Sequence, residues 1–225
     1  ISNNKLVSSK INDTSGNIIF SLDDKYIFYS KLDNNHRPKT IFRHEIGTPI
    51  KNDILIFEEK NDRFTVGIDI TSDEKYFIIS SGDHTTSEVY YFLSDDKAPK
   101  PQLFQKAKEG IIYSINSWGK YFYIHTNYKA EDFKICKCLH NKTNNWKDVV
   151  PAKDEVLVGG FTMLNNWMIR SETINAIPKI FVKNLLTNKE EELLFTEEEI
   201  YSPGISLKQK NRNTNEILLS YNSPK

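Results

Sequence analysis

The sequence predicts an all-β chain, a partial β-propeller of about four to five four-stranded blades, and three observations carry that expectation. A strand-like core recurs after a polar turn, the recurrence has the spacing of a propeller blade, and helical periodicity is scarce along the whole chain.

The cores run in order. Asp23-Asp24-Lys25-Tyr26-Ile27-Phe28-Tyr29 is followed by Asp73-Glu74-Lys75-Tyr76-Phe77-Ile78-Ile79 and Trp118-Gly119-Lys120-Tyr121-Phe122-Tyr123-Ile124. Weaker copies stand at Asn165-Asn166-Trp167-Met168-Ile169 and Asn215-Glu216-Ile217-Leu218-Leu219. Aligned on Tyr26, Tyr76, Tyr121, Trp167 and Ile217, they are separated by 50, 45, 46 and 50 residues. A four-stranded blade needs roughly 40 to 50 residues. Between them lie further β-rich runs, among them Ile54–Phe57, Thr65–Ile68, Glu88–Phe92 and Lys179–Val182, so each interval holds about four strands. One domain spans 1–225 on this reading. The best helical candidate is Asn188–Thr196, where Glu190, Glu191 and Glu192 precede Leu193-Leu194-Phe195, although a charged turn leading into a strand explains it equally. Only 9 glycines serve all these hairpins, so Asn and Asp are expected to carry many of the turns, because both tolerate the left-handed conformation.

Charge excludes several function classes. The 225 residues hold 30 Lys+Arg against 30 Asp+Glu, giving a formal net charge of +0 and a pI of about 7.1. A nucleic-acid partner would call for a basic surface, and the basic and aromatic residues interleaved at Trp118–Lys129 are already used by a blade core. No apolar run reaches the length of a membrane span, so neither nucleic acid nor membrane is expected as a partner.

The two cysteines, Cys136 and Cys138, are too closely placed along one strand for an easy bridge, and with His140 they make three alternating donors where zinc needs four. Reduced thiols are therefore expected, with no metal and no cofactor. So few cysteines fit a reducing cytoplasm, with the periplasm also open. The sequons at Asn12 and Asn141 carry little weight in an Asn-rich chain.

Arg43-His44-Glu45-Ile46-Gly47-Thr48-Pro49, then Asp53-Ile54-Leu55-Ile56-Phe57-Glu58-Glu59-Lys60 and Asp62, resembles the propeller segment of the oligopeptidase B (protease II) branch of the prolyl oligopeptidase family of serine peptidases. Thr85-Thr86-Ser87-Glu88-Val89 resembles a second recurrent stretch, and weaker similarity continues through Tyr113-Ser114, Tyr123-Ile124, Thr126-Asn127, Trp146, Val149-Val150-Pro151 and Gly160-Phe161-Thr162. The resemblance implies a fragment of a seven-bladed propeller that caps an α/β-hydrolase domain and restricts entry to short peptides, cleaved after Lys or Arg. The chain has no G-x-S-x-G nucleophile elbow, and the family's catalytic Ser, Asp and His have no counterparts in it, so the hydrolase domain is expected to lie outside this chain, which is expected to be inactive alone.

No catalytic residue is therefore assigned. Asp69, Asp73, Ser80, Ser81, His84 and Ser87 invite assembly into a triad, but nothing in their spacing fixes a base or an oxyanion hole, and His84 reads as a turn residue. The substrate-contact candidates are Arg43, His44, Thr86 and Glu88. For Arg43 the competing use is structural, paired with Glu45 or Glu58; for Thr86 and Glu88 it is a turn entering a strand. The Glu190–Glu192 run and its echo at Glu197–Glu199 read as a solvated acidic loop. The expected partners are a hydrolase domain, on the same or a separate chain, and short basic peptides. The alternative is a stand-alone interaction module or inactive split-gene product that self-associates into a homo-oligomer through open blade edges.

Overall fold

The computed structural model describes residues 10–194, 202–207 and 214–222. Its internal contacts divide the chain into two units, Ile1–Ile111 and Ile112–Lys225.

The first unit holds two four-stranded antiparallel sheets. β1 (Thr14–Phe20), β2 (Tyr26–Leu32), β3 (Pro38–Glu45) and β4 (Ile54–Glu58) form one, with a short 3-10 turn at Ile50–Asn52 before β4. β5 (Thr65–Ile70), β6 (Tyr76–Gly82), β7 (Ser87–Leu93) and β8 (Gln102–Gln105) form the other. In both sheets, strands neighbouring in sequence neighbour in space, the meander of a propeller blade.

The second unit repeats the plan. β9 (Tyr113–Trp118), β10 (Tyr121–Thr126), β11 (Lys134–Leu139) and β12 (Lys147–Val150) make a third sheet; β13 (Val156–Leu164), β14 (Trp167–Ile174), β15 (Ile177–Asn184) and β16 (Glu190–Glu192) make a fourth. β17 (Ser202–Leu207) and β18 (Ile217–Asn222) add a two-stranded pair. No helix among the described residues is long and apolar enough to cross a membrane.

The five repeat positions Tyr26, Tyr76, Tyr121, Trp167 and Ile217 are the first residues of β2, β6, β10, β14 and β18. In the four complete sheets this second strand has a neighbour on each side and is packed on both faces, which is why its sequence is a nearly continuous apolar run. Phe77, Ile79, Phe122, Ile124 and Met168 on these strands are fully buried.

Polar turns set the entry to each second strand. Ser21 Oγ donates to Asp23 Oδ1 at 2.7 Å and accepts from the Tyr26 N–H at 2.9 Å. The next repeat copies the device, with Thr71 Oγ1 donating to Asp73 Oδ1 at 2.9 Å and accepting from the Tyr76 N–H at 3.1 Å. Asp24 and Glu74 occupy the left-handed region at φ 55° and 57°. The third and fourth repeats shorten the turn to two residues, closed by the pairs Trp118–Tyr121 and Leu164–Trp167. There Gly119 (φ 64°) and Asn166 (φ 70°) supply the positive φ. The expectation that Asp and Asn share this work with glycine is met at these positions.

Side chains fill the space between successive sheets. In the first unit Phe28, Ile41, Val66, Phe77, Ile79 and Phe92 form one cluster, with the Phe28 and Phe77 rings 4.5 Å apart. In the second unit Tyr123, Ile135, Val150, Val158, Met163 and Met168 form another, and Leu164, Ile169 and Ile180 pack with Ile205 and Ile217 of the last strand pair. Within each unit, one sheet depends on the next for burial, as expected of a repeat architecture.

Asn188–Thr196 contains no helix over its described residues. The charged residues themselves form strand β16, because Glu190, Glu191 and Glu192 pair in register with Lys183, Val182 and Phe181.

Candidate functional site

Arg43 and His44 are consecutive on β3, so they project to opposite faces of the first sheet. Each face gives its residue a different environment.

His44 shares its face with Tyr29 and Phe42. Its Nδ1–H donates to Asp53 Oδ1 at 2.6 Å, and Tyr29 Oη–H donates to Asp53 Oδ2 at 2.8 Å. The His44 and Asp53 side chains are both 4% exposed. Burial, and then the Asp53 carboxylate, push the Tyr29 hydroxyl well above its ordinary pKa, so it remains a donor. One carboxylate thus satisfies two buried donors, which makes the His44 assembly a structural tie. Sequence reading quoted Asp53 within a motif without assigning it this part. The signal available was an acidic residue immediately before a strand, which spacing alone does not connect to Tyr29, 24 residues earlier.

Arg43 faces the second sheet. Its Nη1 donates to the Lys97 carbonyl in the β7–β8 connection at 2.7 Å, and its guanidinium lies over the Tyr26 ring, 4.6 Å from the centroid. The residue is 8% exposed, and its buried Nε has no acceptor among the described residues. The expected pairing with Glu45 or Glu58 does not form. Glu58 lies opposite Thr40, on the other face of the sheet, and Glu45 is exposed at the end of β3. Arg43 also forms part of the wall of a cavity of about 230 Å³ between the β1–β2 turn and the β7–β8 connection. Asp23, Asp95, Asp96, Tyr26 and Lys97 line it too, whereas His44, Thr86 and Glu88 do not.

Thr86 and Glu88 belong to a second arrangement at the entry to β7. Asp83 Oδ1 accepts from the Thr85 and Thr86 N–H groups, each at 2.9 Å, and Thr86 Oγ1 accepts from Gly110 N–H at 3.3 Å. Glu88 accepts from Ala107 N–H and from Tyr90 Oη–H, at 3.2 and 3.0 Å. The backbone amides of Thr85 and Thr86 hold the Asp83 carboxyl at about 2, with Arg63 adding to the effect. These contacts are those of a turn entering a strand, as the residue types suggested.

The residues of the tempting triad are dispersed into other tasks. Ser81 donates to Glu59, Asp73 holds the β5–β6 turn, and His84 is exposed in the turn before β7. Burial pushes the Cys136 thiol up to about 12 and the Cys138 thiol to about 11, and His140 Nε2 lies 3.0 Å from Ser117 Oγ.

The acidic run is a strand and not the expected loop; Glu190 and Glu191 are exposed to solvent as expected, but Glu190 also reaches a buried arginine. Arg170, 1% exposed on β14, is held by Glu172 (Nε to Oε1, 2.9 Å) and by Glu190 through two bonds of 2.7 and 2.9 Å. Lys153 closes the network on Glu172 at 3.0 Å, and Lys179 meets Glu192 at 2.9 Å. Two carboxylates balance the charge of this guanidinium, and strand register delivers Glu190 to it. The Glu197–Glu199 echo lies outside the described residues.

Known proteins place this architecture. The family profile described as "Prolyl oligopeptidase, N-terminal beta-propeller domain" matches residues 1–224. Protease 2 of Moraxella lacunata is 29% identical over 198 residues, covering 88% of this chain and 28% of that protein. Dipeptidyl aminopeptidase BI of Pseudoxanthomonas mexicana is 27% identical over 209 residues, covering 90% and 28%. The oligopeptidase B of Trypanosoma brucei, solved in a closed form with covalently bound antipain, superposes with a TM-score of 0.91 at 21% identity, over 97% of this chain and 32% of that one. The Leishmania major oligopeptidase B gives 0.88 at 18% identity, with the same coverage. The chain therefore spans under a third of the length of these relatives. With four sheets in blade order and a profile match along its length, the chain is a partial β-propeller and belongs to the N-terminal propeller family of the prolyl oligopeptidases.

Proposed function

We propose that this chain is the non-catalytic propeller portion of an oligopeptidase B-like serine peptidase, gating the entry of short peptides that a hydrolase domain cleaves after Lys or Arg. The observation that carries the reading is the profile match over residues 1–224, joined by the Protease 2 similarity over 88% of the chain. A propeller suits the task physically, because closely packed blades leave a narrow passage that an extended short peptide can enter and a folded protein cannot. Ser81 is tied to Glu59, Asp73 holds the β5–β6 turn and His84 stands apart in an exposed turn, so the chemistry is assigned to the partner domain.

The test is hydrolysis of a short fluorogenic peptide with Arg before the scissile bond, measured with the chain alone and with a separately expressed hydrolase domain of the same family. Cleavage that requires both parts, and that is slower for a long folded substrate than for the short peptide, is the expected result. Cleavage by the chain alone, or no cleavage by a folded mixture, would overturn the reading.

A further inference from the structure

We propose that the cavity between the fourth sheet and β17 is a site for one small neutral phenol, its ring between Pro178 and Pro203 and its hydroxyl on Ser171. The inference stands on the cavity alone, independently of the hydrolase pairing proposed above, and its test reads binding and not peptide cleavage.

The cavity, about 460 Å³, lies wholly within the second unit. Strand alternation decides what faces it. Ile169 and Ser171 on β14, with their cross-strand neighbours Thr162 and Ile180, lie on the face that packs toward Ile205 of β17. Pro178 and Pro203 stand two residues before Ile180 and Ile205, so they share those faces and line the same space. Arg170 and Lys179 also border it, but alternation turns their side chains to the other face of the sheet. There Glu172 and Glu190 hold the guanidinium, and Glu192 holds the ammonium. The charged side chains on its border are thus committed elsewhere, which disfavours an ionic ligand.

A bulge opens the polar side. β13 and β14 change register between Val158 and Phe161, so Gly159 and Gly160 together oppose Ser171. A Cβ at Gly159 would fall 2.3 Å from Ser171 Oγ, whereas one at Gly160 would meet nothing within 4 Å. The first glycine leaves room for the serine hydroxyl, and the second leaves open space beside it. Ser171 is exposed, and its hydroxyl has no hydrogen-bond partner among the described residues.

These features select the ligand. The proline rings, Ile169, Ile180 and Ile205 offer C–H surfaces, which carry slight positive charge and suit the negative face of an aromatic ring. One uncommitted hydroxyl calls for one polar group, either donor or acceptor. A phenol carries both features on one small framework. At about 460 Å³ the space falls within the roughly 300–1,000 Å³ of small-molecule sites.

The probe is p-cresol; toluene lacks its hydroxyl, and 4-methylcyclohexanol lacks its aromatic ring. Titration of the full chain followed by NMR is expected to give saturable p-cresol binding, with each comparison compound weaker by about fivefold, the loss of one hydrogen bond or one ring contact. Ser171→Ala is expected to weaken p-cresol by about fivefold and to leave toluene unchanged. Gly160→Leu, which fills the open space, is expected to abolish binding of both. Should the leucine variant fail to fold, Ser171→Ala still decides, because it trims an exposed hydroxyl and leaves the packing intact. Absence of saturable binding, a comparison compound equal to p-cresol, or unchanged p-cresol affinity in Ser171→Ala or in a folded Gly160→Leu each overturns the proposal.

Discussion

His44 Nδ1 and Asp53 Oδ1 lie 2.6 Å apart with both side chains 4% exposed, and Asp53 at the same time accepts from Tyr29 Oη. The pair joins the end of β3 to the residue just before β4, fixing how the outer strand of the first sheet begins.

Removing the shared acceptor therefore costs more than removing either donor. Asp53→Ala is expected to destabilise the protein by about 3 kcal/mol, because two buried donors lose their acceptor, whereas Tyr29→Phe costs about 1 kcal/mol. Urea unfolding of the two variants measures the difference. Equal losses would contradict the shared-acceptor reading.

Acid should loosen the fourth sheet. The hydrogen bonds from Arg170 hold the Glu190 carboxyl below its ordinary range, with Lys183 and Lys153 contributing charge. A depressed carboxylate stabilises the fold above its unfolded pKa of about 4.3, and that contribution is lost as pH falls through the lower native value. Stability is thus expected to decline from about pH 5 downward. Glu190→Gln, weaker at pH 7 by about 1–3 kcal/mol, should decline less over the same window. A parallel decline in both proteins would remove Glu190 as a cause.

The thiols should be silent in the native state. Burial raises Cys136 and Cys138 to about 12 and 11, so at pH 8 both remain protonated. Ellman's reagent at pH 8 is expected to modify neither until denaturant is added. Because the native values are raised, the thiols' contribution to stability is present below the unfolded pKa of about 8.5 and is lost as pH rises through 11 to 12. Rapid modification of the folded protein would refute the assignment.

Two glycines on adjacent strands should behave differently. A Cβ at Gly82 would collide with the backbone oxygen of Thr86, while one at Gly67 would meet nothing within 4 Å. Gly82→Ala is expected to cost about 1–3 kcal/mol, and Gly67→Ala to change stability by under about 0.5 kcal/mol. Thermal melts of the two variants make the comparison, and a tolerated Gly82→Ala would mean that the turn before β7 moves freely.

The sequence alone determined the repeat, and with it the onset of every second strand at Tyr26, Tyr76, Tyr121, Trp167 and Ile217; in the four complete sheets burial on both faces demands a continuous apolar run there. It also determined the turn chemistry, since Ser21-x-Asp23 and Thr71-x-Asp73 satisfy local backbone groups within a few residues. Tertiary structure alone decided the partners of the charged residues. Arg43 was legible as a structural arginine, yet its acceptor is a carbonyl 54 residues away, and the acidic run became the ligand of a buried guanidinium 20 residues earlier. Apolar patterning is written locally because each strand must meet its own sheet. An ion pair is chosen by strand register and by the packing of one sheet on the next, which spacing along the chain does not encode.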